Sequence, residues 1–224
     1  MTATLRIAII VWLSMPLLSL AACDGSPHPD QAPTNSGAGE RAIEASVVAP
    51  VSVTDLTLAF RRQYPPDIVY ALNEVKKSSV QFEVIELVSC AYQLCEQMST
   101  EWDRSALSND LVRVNLLDVL VQARGQGIDF TTGLTVREDT IELLANRNPF
   151  VVQRALMVLS YIDDDADVAN IEDVALSTSD DVTFRYAILA LKLMSAPGSQ
   201  DATHRILASV DDRRAELVMD LVDQ

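Results

Sequence analysis

The chain has 224 residues, with 17 Lys+Arg against 32 Asp+Glu and a formal charge of −15. That balance argues against nucleic-acid binding, which rests on neutralising phosphates with Lys and Arg, and fits a surface kept soluble by charge or a cationic partner. Aromatic residues make up 5% and glycines number seven, few for a β-sandwich of this length, while the abundance of Leu, Ala, Val, Asp and Glu favours helix.

Residues 1–22 read MTATLRIAIIVWLSMPLLSLAA, with Arg6 as the single charge. The apolar run Ile7 to Leu20 would rise about 21 Å as a helix, short of the hydrocarbon core of about 30 Å. A charged start, a short apolar stretch and a small-residue exit predict a secretory signal rather than a membrane span. The run ends in Leu20-Ala21-Ala22-Cys23. This LAAC segment resembles the lipobox of bacterial lipoproteins: a branched aliphatic residue, two small residues, then cysteine. The resemblance covers the N-terminal tenth of the chain. It implies cleavage before Cys23 and a diacylglyceryl group on its sulfur, so Cys23 is the expected lipid-attachment residue. Stable anchoring takes two acyl chains or their equivalent, and a diacylated cysteine supplies both. The expected location is the cell membrane, facing the periplasm or exterior. Asp24 directly follows, which in some enteric bacteria retains a lipoprotein at the inner membrane.

Residues 24–50, DGSPHPDQAPTNSGAGERAIEASVVAP, contain four prolines, three glycines and no aromatic residue. Such a composition buries too little apolar surface to offset its ordering entropy, so 23–51 reads as a lipidated, disordered tether. His28 stands here without a metal-binding companion. The second and last histidine is His204, and no cofactor or metal is predicted.

From residue 52 to 224 the pattern is helical, and the fold class is all-α. Pro65-Pro66 interrupts the first helix and opens the next. In residues 78–99, Val80, Val84, Leu87, Ala91, Leu94 and Met98 recur at three- and four-residue steps, which predicts one continuous helix. On that helix, Cys90 and Cys95 would lie about 140° apart and about 8 to 9 Å between α-carbons. A disulfide needs less than about 7 Å, so no bridge is expected between them, although an exported protein meets an oxidising compartment.

The C-terminal half repeats itself. At an offset of 32 residues, Val152 matches Phe184, Ala155 matches Ala187, Leu156 matches Ile188, Leu159 matches Leu191 and Ile162 matches Met194. A third copy opens at Asp211, where Ala215, Val218, Met219 and Val222 fall on the positions of Phe184, Ala187, Ile188 and Leu191. A looser, earlier copy opens at Asn109. Each copy begins with Asn or Asp, residues that accept amide hydrogens at a helix start. Shorter helices are predicted between the copies, with Asp167 and Ser199 as caps and Pro197-Gly198 as a break. The unit is helix, turn, helix, which buries its apolar face against its neighbours. VVQRALMVL and DVTFRYAILAL carry a resemblance to HEAT-like repeats across residues 109–222, and 52–105 does not share it. The resemblance implies an α-solenoid of helix pairs; a compact helical bundle is the alternative.

Chemistry-bearing motifs are sparse. Asp163, Asp165 and Asp167 alternate as in a calcium loop, but the sixth and twelfth positions of such a loop fall on Val168 and Val174 instead of Gly and Glu. Capping aspartates at an inter-helix turn fit better. Arg113, Arg154 and Arg185 open successive repeat helices, either as a row of anion-binding groups or, the preferred reading, each paired with an acidic neighbour at a repeat junction. No nucleophile elbow, phosphate loop or His-Glu-x-x-His is present. The expected function is a non-catalytic protein-interaction or scaffold module, tethered to the membrane and partnered by another envelope protein. The alternative is a helical envelope hydrolase acting on peptidoglycan or peptide, which would need two carboxylates, or His204 with an acid, converging in a cleft.

Overall fold

The computed structural model describes residues 51–77, 81–93 and 104–222. All lie in one unit of the chain, Ser46–Gln224. The expected signal segment, Cys23, nearly all of the expected tether, and Cys95 lie outside the described residues. Those described are helical and contain no strand.

Three helices open the unit: α1 (Val53–Arg61), α2 (Pro65–Lys77) and α3 (Phe82–Tyr92). Ser52 and Asp55 cap α1 reciprocally, each side chain bonding the other's amide, so two orphan donors of the first turn are satisfied. Pro65 starts α2 as expected, since its missing N–H costs nothing at a first helical position. The expectation for α3 needs correction. The helix stops at Tyr92, with Gln93 as its C-cap, so the apolar period does not extend as one helix to Met98. The geometric argument against a Cys90–Cys95 bridge loses its premise, because the two cysteines do not share an unbroken helix.

A short α4 (Arg104–Leu107) leads to α5 (Asp110–Gly125), α6 (Val136–Leu143), α7 (Pro149–Ile162), α8 (Val168–Ser177), α9 (Asp181–Leu193) and α10 (Ser199–Ser209). The last pieces are α11 (Asp212–Glu216) and α12 (Met219–Val222). Helices α5, α7 and α9 pack in succession, with α2 and α3 against α5 and α12 against α9. Helix α6 packs on α7, and α8 and α10 pack on α9 and on each other.

Helical periodicity lets α5 serve two cores. Val112, Leu116, Val119 and Leu120 join α1, α2 and α3 in one cluster. Val114, Leu117 and Val121 lie on another side and meet Val151, Ala155 and Val158 of α7. A third cluster runs from Val152, Leu156 and Leu159 through Phe184, Ala187, Ile188 and Leu191 to Ile206 and Val218. The repeat-matched residues Ala155, Leu159, Ala187 and Leu191 are all buried.

The four predicted opening caps hold. Asn109, Asn148, Asp180 and Asp211 each accept a bond from an amide in the first turn of α5, α7, α9 and α11. Asp167 and Ser199 do not cap α8 and α10; Asp167 is drawn to an arginine, and the Ser199 hydroxyl donates to the Met194 carbonyl. The third copy also departs from its pattern. Arg185 donates to the Leu217 carbonyl, the acceptor that the Leu221 amide would use in an unbroken helix. The Leu221 amide turns to Val218 instead. The copy splits into α11 and α12, leaving Val218 buried and Met219 exposed.

Candidate functional site

The arginines flagged by the sequence are structural ties. Arg113 of α5 reaches Asp139 of α6 at 2.9 Å. Arg154 of α7 reaches Asp118 of α5 at 3.1 Å. Arg185 of α9 reaches Asp220 of α12 at 2.9 Å. Each therefore pairs with an acid on a neighbouring helix, as the preferred reading has it. The same kind of tie recurs between Arg205 and Glu172 and between Arg213 and Asp181.

The aspartates of the α7–α8 turn diverge rather than converge. Asp163 ends α7 in the left-handed region at φ 57°, a conformation that Asp tolerates better than most residues. Its carboxylate accepts bonds from the Ser195 amide at 2.7 Å, the Ala196 amide at 3.2 Å and the Ser195 hydroxyl. Asp165 accepts from the Gly198 amide at 3.3 Å. Asp167, buried, accepts two bonds from Arg137 at 3.1 and 2.6 Å. Asp163 and Asp165 thus hold the α9–α10 loop, and Asp167 holds α6. Among the described residues no three His, Cys, Asp or Glu side chains are placed to hold a metal ion.

A cleft of about 550 Å³ opens where α3 meets the α5–α6 loop, lined in part by Tyr92, Arg113, Thr135 and Asp139. Gly127 and Gly133 carry that loop at φ 87° and 81°. The Tyr92 hydroxyl donates to Asp139, which also holds Arg113. Burial and the Asp139 hydrogen bond push the Tyr92 hydroxyl far above its ordinary range, so it cannot act as a base near neutrality. Burial would raise Asp139, but the Tyr92 hydroxyl and the Arg113 guanidinium outweigh it and hold the carboxyl below its usual range. Among the described residues Asp139 is the one acid lining the cleft, and His204 does not line it; His204 stands exposed on α10.

The most buried charges lie elsewhere. Lys76 of α2 donates to Asp118 at 2.6 Å and to Asn115 at 3.3 Å. Arg154 approaches the same Asp118 oxygen, and Gln122 donates to the other at 2.7 Å. Burial lowers the Lys76 ammonium, while Asp118 pulls it back up. This cluster joins α2, α5 and α7, and its acceptors are spent internally.

What remains unspent is an apolar ridge. On α7, Phe150, Arg154, Met157 and Tyr161 follow steps of four, three and four, so they share one helix face. On α9, Val182, Tyr186, Leu189 and Leu193 follow the same steps at an offset of 32. Phe150 is 68% exposed, Tyr161 41%, Val182 52% and Leu193 50%, with Met157, Tyr186 and Leu189 half-buried. On both helices this ridge lies opposite the buried face, so two adjacent, packed helices present matched apolar ridges to solvent. The offset that reveals the core reveals this ridge too, and a reading centred on arginines and caps leaves it out.

No known family matches this chain, and neither a curated protein nor a solved structure does. Among the described residues no helix is long and apolar enough to cross a membrane.

Proposed function

We propose that this chain is a bacterial lipoprotein, anchored through acylated Cys23, whose helical domain is an α-solenoid of HEAT-like helix pairs. The domain acts as a non-catalytic interaction module in the cell envelope. The observation that carries the module reading is the matched ridge of Phe150, Met157 and Tyr161 beside Val182, Leu189 and Leu193. Exposed apolar surface of this kind is costly in water and marks interaction sites. The arginines and carboxylates around it tie helix to helix, which supports a rigid presenting surface over a reaction centre. The partner is a protein segment of the envelope that offers apolar side chains to the ridge.

Two measurements test the proposal separately. Intact mass of membrane-extracted protein should show a chain beginning at an acylated Cys23, and Cys23→Ser should abolish acyl labelling. For the ridge, a photo-crosslinking residue at position 157 or 189 should give one discrete protein adduct in cells, and Phe150→Glu with Leu193→Glu should remove it. The same probe at position 204 should give no such adduct. Equal labelling from all three positions would refute the ridge as the binding face.

A further inference from the structure

The domain is electrically lopsided along its chain. Residues 110–222 carry ten Arg and Lys against nineteen Asp and Glu. Residues 51–77, the α1–α2 hairpin, carry four against three. The hairpin is therefore close to neutral, while the rest of the domain is strongly acidic.

The same hairpin exposes large side chains. Leu58 is 49% exposed, Tyr64 58% and Tyr70 68%. Arg61 and Arg62 stand exposed between them. On α1 the buried residues are Leu56, Ala59 and Phe60, so Leu58 and Arg61 project from the opposite side. On α2 the buried residues are Ile68, Leu72, Val75 and Lys76, so Tyr70 also projects outward. A mixture of tyrosine, leucine and arginine is the composition that settles at a bilayer interface. The ring or alkyl group enters the headgroup layer, and the charged or hydroxyl end stays wet.

The chain order decides what meets this surface. Val51 and α1 directly follow the 27 residues between Cys23 and Val51, whose composition reads as a tether. A coil of that length spans about 30 Å, which holds the hairpin at an effective concentration on the millimolar scale near the anchored lipid. A weak contact is then sufficient. An anionic bilayer repels the acidic residues 110–222 and tolerates the near-neutral hairpin, so both effects turn the same end towards the lipid.

We propose that the outward surface of α1 and the turn into α2, comprising Leu58, Arg61, Arg62, Tyr64 and Tyr70, rests on the phospholipid headgroups of the membrane that holds the chain. The contact orients the repeats relative to the membrane. This inference rests on the lipoprotein reading above.

The test uses the full acylated protein in vesicles of phosphatidylethanolamine containing phosphatidylglycerol with a photoreactive headgroup. After illumination, lipid adducts are mapped by peptide mass, and the mass of the Cys23 peptide is read from the same sample. Adducts should concentrate on peptides from 53–77 and be sparse on those from 181–216. Leu58→Glu with Tyr64→Glu and Tyr70→Glu should lower the 53–77 yield severalfold, with acylation and the helical circular dichroism signal unchanged. Adducts of equal density on both regions, with Cys23 acylated, would overturn the orientation while leaving the anchor intact. An unmodified Cys23 would remove the anchor and this inference together.

Discussion

Asp118 shows how a single residue can hold three helices. Its side chain is 0% exposed, and that of Lys76 is 4% exposed. Removing a carboxylate and an ammonium from water is expensive, and the pair persists because Arg154, Asn115 and Gln122 complete the network. Asp118→Ala should therefore cost about 3 to 5 kcal/mol, because it leaves Lys76 buried without its counter-charge. Lys76→Met should cost less, since Asp118 keeps Arg154 and Gln122 as donors. Denaturant midpoints of the two variants decide this, and equal losses would show that Arg154 contributes nothing at this site. The buried leucines have a simpler origin. Leu159→Ala and Leu191→Ala should each cost about 2 to 5 kcal/mol, the lost transfer energy plus the cavity left behind. Phe150→Ala, on the exposed ridge, should shift the midpoint little while weakening partner capture.

At the scale of the helix, the legible features are those whose partner lies within a few residues. Asn148 and Asp180 cap α7 and α9 through amides two and three residues away, and the sequence alone predicts both. Asn148→Ala or Asp180→Ala should cost about 0.5 to 2 kcal/mol. Asp167 misleads because its partner, Arg137, is 30 residues distant, and a local rule cannot see a competitor that far away. The split of the third copy likewise follows from Arg185, 32 residues before Leu217. Asp163 combines both kinds of constraint, a left-handed backbone and bonds to Ser195 and Ala196. Asp163→Asn keeps an acceptor and tolerance for that backbone, so it should be nearly neutral. Asp163→Ala keeps neither and should cost about 1 to 3 kcal/mol. Thermal unfolding of the two variants separates them, and equal melting points would refute the joint.

Across the whole molecule, carboxylates are both the solubilising charge and the mortar between helices, and acid acts on the two roles in opposite directions. Protonation relieves the self-repulsion of a chain with a formal charge of −15, which favours the folded state. It also removes the anionic partner from each tie. Glu172 is held below its usual range by Arg205, Asp180 by the Thr183 hydroxyl and amide, and Asp139 by Tyr92 and Arg113 against the opposing effect of burial. A carboxyl depressed in the folded state contributes stability that is complete above its unfolded pKa of about 4. That stability is lost as the pH falls through the lower folded value. Relief of repulsion begins near the same pH, but the ties are short and partly shielded from water, so their loss dominates once the paired groups protonate. The melting temperature should therefore hold or rise slightly from pH 7 to about 5 and fall steeply below about 4. Glu172→Gln with Asp139→Asn should lower the plateau and flatten the acid limb, since those groups no longer titrate. Melting curves at fixed ionic strength from neutral to acid pH measure both effects. A melting temperature that stays level well below pH 4 would mean that the inter-helix carboxylates contribute little, and that the apolar clusters alone hold the helices together.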